Sequence, residues 1–186
     1  MKVNREYFRH RLAQAPGAQA ANGLRPAAVL VPIVERAEPT VLFTLRSDHL
    51  PTHAGQVCFP GGRVHDDDRG AIATALRETH EEIGVTPDHI EVLGFLDPYD
   101  TGTGYSVIPV VGFVHPDHRL APNMDEVAEV FEVPLEFLLD PANRALKQRA
   151  RANGAMMETY EIAFGRHTIW GATAQMVVSL AEKLDI

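Results

Sequence analysis

The residues best suited to chemistry are three glutamates, Glu78, Glu81 and Glu82, within ALRETHEEIGV. Around them Ile72, Ala75, Leu76, Thr79 and Ile83 recur at the i, i+3, i+4, i+7 spacing of one buried helix face, which predicts a helix over residues 70–83. At about 100° per residue the glutamates share one arc, centred roughly 130° from that stripe. Carboxylates this close repel one another and weaken the helix unless a cation sits among them. Hard oxygen donors at this spacing suit Mg²⁺ or Mn²⁺, ions that take their remaining ligands from water and substrate phosphate. For an ExxEE pattern alone, a solvated acidic helix face is the plain alternative.

The flanking residues narrow the choice. Arg77 lies one turn before Glu81, close enough to steady a carboxylate by a charge-assisted contact, and Gly84 stands where a left-handed helix cap is expected. Upstream, Pro60, Gly61 and Gly62 form a chain breaker whose glycines let backbone approach a ligand or metal closely.

Together, Gly62, Arg77, Glu78, Glu81, Glu82, Gly84 and Val85 resemble the Nudix box, the loop–helix–loop of hydrolases that cut a diphosphate joining a nucleoside to another group. The stretch from Gly62 to Arg77 is one residue longer than the common box. The acid expected early in it falls to Asp67 or Asp68, and Thr79 replaces the usual aliphatic residue. Upstream, LFTLRSDHLPTHAGQVCFPGG (residues 42–62) is similar to the signature preceding the box in the coenzyme A pyrophosphatase branch, with Phe43 and Pro51 departing from it. That branch commonly has the longer box. DTGTGYSVIPVVGF, DEVAEVFEVPLEFLL and IWGATA also look like it, so the resemblance runs over residues 25–174.

The resemblance implies a Nudix α/β/α sandwich with a mixed β-sheet. It implies divalent-metal-dependent hydrolysis of the diphosphate of coenzyme A or its derivatives, giving 4′-phosphopantetheine, or its acyl form, and adenosine 3′,5′-bisphosphate. Glu78, Glu81 and Glu82 would hold Mg²⁺ or Mn²⁺ with a backbone carbonyl at Gly61 or Gly62. The general base would be Glu78 or an acid outside the helix, for which Glu126 and Glu129 are the candidates. Arg46, at a strand end, suits a phosphate or a carboxylate of the box helix; His53 and Gln56 could contact the nucleotide or the pantetheine arm. Two other functions fit the same box: hydrolysis of another nucleoside diphosphate derivative such as ADP-ribose, or of a nucleoside triphosphate, and a binding domain without turnover.

These side chains need a scaffold, and the chain is long enough to build one. Its 186 residues, 45% hydrophobic and 23% charged, suit a single α/β domain over residues 25–186, preceded by an N-terminal helix and linker over residues 1–24. A formal net charge of -8 argues against a general nucleic-acid binder, because a phosphate backbone needs a basic footprint. No apolar run reaches the roughly 20 residues of a membrane span, and Cys58 is the only cysteine, so a reducing cytoplasmic setting is expected. The oligomeric state is not legible.

Along the chain, Tyr7, Phe8 and Leu12 make one face of the first helix, beside a basic cluster of Arg5, Arg9, His10 and Arg11. Residues 25–35 and 40–47 read as a hairpin of buried strands, 89–99 and 104–114 as two strands around DTGTG, and 127–135 as a strand entering a short helix. Residues 141–158 read as a basic connection or hairpin arm whose Arg144, Lys147, Arg149 and Arg151 are solvated or meet an extra phosphate. TYEIAFG reads as a strand and HTIWG as its turn. The chain closes on an amphipathic helix with Met176, Val177, Leu180 and Leu184 inward, and Trp170 reads as a core anchor for it rather than as a base-stacking surface.

Overall fold

The computed structural model describes residues 4–18, 23–150 and 154–186. Its frame is a mixed sheet built on β1 (Arg25–Val34), whose run of small and β-branched residues is buried on both faces. Along one edge β1 pairs in parallel with β7 (Tyr105–Val114), from Arg25 opposite Tyr105 to Val34 opposite Val114. The strand β5 (Ile90–Phe95) and the two-residue β6 (Tyr99–Asp100) add to β7 in antiparallel fashion.

The opposite edge of β1 is shared, and this sharing makes the site. The predicted hairpin partner, β2 (Thr40–Arg46), pairs with β1 only at Ile33–Val41 and Val34–Thr40, and then turns away. Its place on β1 is taken by β4 (Gly61–Arg63), with Ala28 opposite Gly62 and Val29 opposite Gly61. Strand β2 carries β3 (Val57–Cys58) on one side and β8 (Val127–Pro134) on the other. The FPGG segment therefore crosses from β2 to β1. Its glycines are strand residues, where the sequence suggested only a breaker.

Helix α2 (Ala71–Ile83) covers one face of the sheet, packing on β1 and β4, and ends at Gly84 in the left-handed conformation expected of a cap (φ 76°), with the Gly84 N–H donating to the His80 carbonyl at 2.9 Å. Its buried residues are Thr74, Ala75, Thr79, Glu82 and Ile83. Leu76 is half-buried and Ile72 is 37% exposed, so the predicted stripe is rotated towards the glutamates. Small residues on both sides, Ala75 and Thr79 on the helix against Ala28 and the β4 glycines, let the backbones approach, and the bulkier Ile72 is left at the margin.

The other face of the sheet is covered by α1 (Arg5–Arg11), α3 (Leu135–Leu139) and α4 (Gly171–Lys183), with a three-stranded sheet of β9 (Ala145–Ala150), β10 (Met156–Phe164) and β11 (His167–Trp170). Layers of helix, sheet and helix result, as the resemblance implies. In α1, Asn4 caps the first turn, Phe8 is fully buried with its ring edge-on to Phe113 at 5.3 Å, and Leu12 is buried too. The basic cluster there is already paired: Arg5 with Glu35 and Glu91, Arg9 with Glu91, Arg11 with Asp185. The predicted inward residues of α4, Met176, Val177, Leu180 and Leu184, are all buried.

Three expectations change. HTIW is a strand, antiparallel to β10, and the turn is Gly165–Arg166 before it; Ile169 points inward and Thr168 outward over a run too short for its alternation to be read. Trp170 is half-buried at the helix α4 N-terminus, where it lines a surface cleft, and is no core anchor. The basic stretch does form a hairpin arm, but Arg144 donates to the carbonyls of Leu138 and Leu139, and Arg149 pairs with Glu161 at 2.5 Å. Arg151 lies outside the described residues. No described helix is long and apolar enough to cross a membrane.

Candidate active site

Measured from Ala75 at about 100° per residue, Glu82 lies only about 20° away, Glu78 about 60° and Glu81 about 120°. Burial follows that order: Glu82 is 4% exposed, the Glu78 side chain 15% and the Glu81 side chain 56%. Glu82 and Glu78 are thus withdrawn from solvent, into the crevice where β2 leaves β1, while Glu81 is exposed.

Two glycines shape that crevice. A Cβ on Gly61 would lie 2.5 Å from the Ala28 carbonyl oxygen, so only glycine lets β4 dock on β1 here. On Gly62 it would lie 2.6 Å from Cδ of Glu78, so the Glu78 carboxyl group occupies the space the missing side chain leaves. The Gly61 N–H donates to Oε2 of Glu82 at 3.3 Å.

Glu82 is the most perturbed acid of the site. Burial, aided by the negative charges of Glu78 and Glu126, pushes its carboxyl up to about 8, against the opposing pull of Arg46 and the Gly61 N–H. Arg46 ends β2 as predicted, and its Nε is buried without a hydrogen-bond partner. Cys58 sits beside it, its Sγ 3.1 Å from Oγ1 of Thr44, and burial next to Glu82 raises its thiol to about 11, so it is an inert neighbour.

Arg77 organises the outer side. Its Nε and Nη2 fork onto Asp68 at 3.0 and 2.8 Å, its Nη1 donates to Glu78 at 2.9 Å and Glu81 at 3.0 Å, and its Nη2 also reaches the Arg63 carbonyl at 3.1 Å. Of the two early aspartates, it is Asp68 that Arg77 holds. Asp68, its side chain 7% exposed, also accepts from the His65 N–H and the Thr74 hydroxyl, and the Arg77 guanidinium holds its carboxyl far below the usual range. Asp67 is exposed.

The two outside acids part company. The segment 124–126 is tied to the end of β2, with the Ser47 N–H donating to the Glu126 carbonyl at 2.9 Å, and the charge of Glu126 acts on Glu82. Glu129 is opposite Leu45 in the β2–β8 ladder and is drawn the other way, to Arg166 at 2.7 Å and His167 at 3.4 Å, with Arg166 holding its carboxyl low. His53 and Gln56 are joined to each other, Nδ1 to Oε1 at 2.9 Å, on the exposed loop before β3, and do not reach the glutamates.

Glu78, Glu82 and Glu126 offer hard oxygen donors whose mutual repulsion a divalent cation would relieve, so the donor chemistry fits such an ion. Among the described residues, no three His, Cys, Asp or Glu side chains are already gathered around one point. Arg77 donates to both Glu78 and Glu81 and holds them at the outer side of the site.

Sequence reasoning passed over the cleft formed by Glu129, Arg166, His167 and Trp170, because its walls come from strands far apart in the chain. The NUDIX domain matches this chain over residues 24–153. The Nudix hydrolase NudL of Escherichia coli strain K12 is 41% identical over 188 residues, covering 100% of this chain and 88% of NudL. Among solved structures, a C. elegans Ap4A hydrolase in a binary complex is similar at a TM-score of 0.52 and 20% identity, over 59% of this chain and 80% of that one. A MutT/nudix family protein from Enterococcus faecalis gives 0.51 at 16% identity, over 95% and 71%. At those identities the likeness is one of fold. With its acidic helix seated against a glycine-lined crevice and with these matches, the chain belongs to the Nudix hydrolase family.

Proposed function

We propose that this Nudix hydrolase cuts the diphosphate of coenzyme A or a derivative of it, releasing 4′-phosphopantetheine, or its acyl form, and adenosine 3′,5′-bisphosphate. The observation that carries the hydrolytic reading is the buried Glu82 carboxyl, pressed by Glu78 and Glu126 with the unpartnered Nε of Arg46 beside it. Support for the substrate is the similarity of residues 42–62 to the coenzyme A branch signature.

Glu78 and Glu82 would hold Mg²⁺ or Mn²⁺, joined by Glu81 once it leaves Arg77, with a backbone carbonyl at Gly61 or Gly62. When bound, such an ion neutralises the diphosphate and makes a nearby water more acidic. Arg46 meets a phosphate oxygen through its planar fork. A carboxylate takes the proton of the attacking water as the new P–O bond forms and the bridging P–O bond breaks, the electron pair leaving with the departing phosphate. Glu126 is the better placed of the two outside acids, and Glu78 is the alternative. Glu129, occupied by Arg166, is not proposed as the base.

Two expected outcomes test the parts. Glu126→Gln slows single-turnover hydrolysis with little change in apparent affinity, and Glu129→Gln leaves the chemical step at the parental rate. If both variants turn over like the parent, the base is Glu78. Gly62→Ala pushes the Glu78 carboxyl out of its recess, and a displacement on the order of 1 Å lowers turnover about 100-fold; parental activity in that variant would remove Glu78 from the site.

Substrate choice is tested with purified protein and Mg²⁺ or Mn²⁺ on coenzyme A, dephospho-coenzyme A, ADP-ribose and nucleoside triphosphates, reading product masses. Coenzyme A is expected to be the best substrate. Pro51, where the branch signature has arginine, is the specific observation favouring another nucleoside diphosphate derivative, and preference for ADP-ribose would establish that second reading.

A further inference from the structure

On the face of the sheet opposite α2, a cleft of about 510 Å³ opens beside the end of β2. That volume falls within the usual ligand-pocket range of roughly 300–1,000 Å³. Leu45, Val57 and Ala128 form an apolar floor, and Glu129, His167 and Trp170 stand around it. We infer that this cleft is a binding subsite for a planar base bearing an exocyclic amine, an adenine, which stacks on Trp170 and donates its amine to the Glu129 carboxylate.

The cleft is built for a flat, amine-bearing group. Trp170 is half-buried, with the Arg149 guanidinium 4.4 Å from its ring centroid, so the indole is held in place. His167 is fixed by stacking on Phe131, centroids 3.8 Å apart and planes 11° apart. Glu129 keeps acceptor capacity, because a carboxylate has about four lone-pair sites and its contacts are the exposed Arg166 and the His167 ring. A saturated amide chain can donate an N–H to the carboxylate but brings no flat face to the indole.

The strand pairing links this cleft to the candidate active site. Leu45 lies opposite Glu129, but the next residue, Arg46, lies opposite Val127, so Ala128 is an extra residue in β8. Such a bulge re-aims side chains, and here Ala128 and Glu129 both line the cleft while Arg46 lies on the side of Glu82. Leu45 of the cleft and Arg46 are neighbours in β2, with side chains on opposite faces of the sheet. The link to hydrolysis rests on the proposed function; the base subsite does not.

Trp170 is the only tryptophan, so its fluorescence reports on this cleft. The full chain in chelator, where no turnover interferes, is titrated with AMP, IMP and 4′-phosphopantetheine. AMP is expected to quench saturably and to bind about tenfold more tightly than IMP, which carries a carbonyl in place of the amine. Glu129→Ala should reduce that preference to near unity, and Ala128→Leu should weaken AMP binding by filling the floor. Equal binding of AMP and IMP by the parent, quenching by 4′-phosphopantetheine alone, or no quenching overturns the inference. AMP-selective quenching in a protein that fails to hydrolyse coenzyme A upholds the subsite and removes only the substrate reading.

Discussion

Glu82→Gln is expected to lower turnover by orders of magnitude while making the metal-free protein more stable at alkaline pH. The two effects have one origin. The Glu82 carboxyl is raised from 4.5 to about 8, chiefly by burial. Between those pH values the folded state keeps a proton that the unfolded state has released. Stability without metal therefore falls as pH rises across that window, by at most ~1.4 kcal/mol per pH unit, and levels off above it. The amide has no charge to desolvate, so the variant's stability should stay flat across the window and exceed the parent's at pH 8 by ~2–4 kcal/mol. A divalent ion should reverse the order, because it stabilises only the chain that can hold it. Chemical denaturation in chelator at several pH values, repeated with Mg²⁺ and paired with turnover, checks both effects. Parallel pH slopes for parent and variant, or full activity of the variant, would remove Glu82 from the metal site.

The acidic helix, its cap and most strands were legible because each rests on local periodicity or on Gly and Pro chemistry. The depth of each glutamate was half legible. Averaged as one arc, Glu78, Glu81 and Glu82 look equally remote from the core; taken singly, Glu82 falls at i+3 from Thr79 and i+7 from Ala75, on the rim of the buried stripe. Ile72 was misplaced for the converse reason, since periodicity gives direction but not how close the sheet comes.

Other features depend on pairing between distant segments. The divergence of β2 from β1 follows from β4 taking its place, which no property of residues 25–47 announces. Asp67 and Asp68 are chemically alike and adjacent, and only the path of the loop decides which one Arg77 reaches. Glu126 and Glu129 were equivalent in sequence; only the surrounding elements show that Glu129 turns to Arg166 and His167 while the charge of Glu126 acts on Glu82. The cleft at Trp170 joins β2, β3, β8 and β11 and left no local signal.

Arg77→Met is expected to damage the fold and the site together. Arg77 is the common donor to Asp68, Glu78 and Glu81, and its fork onto Asp68 closes the loop between β4 and α2. Removing it leaves the Asp68 carboxylate, 7% exposed, with only the His65 N–H and Thr74 hydroxyl as partners. Breaking one side of such a pair costs about 3 kcal/mol, and the freed repulsion between Glu78 and Glu81 adds to it. The acid response should change as well. In the parent the Asp68 carboxyl is depressed below 3.8, so its contribution is present above that value and is lost as pH falls through the lower folded value. Without Arg77 that contribution is mostly absent at every pH, and acid unfolding should start at higher pH. Arg77→Lys keeps a charge but not the fork, and should recover only part of the loss. Asp68→Asn closes a double-mutant cycle: in Arg77→Met the second substitution should cost little, because the partner is already gone. Additive losses in that cycle would show that Arg77 and Asp68 act independently, and parental turnover in Arg77→Met would show that the glutamates need no guanidinium to hold them.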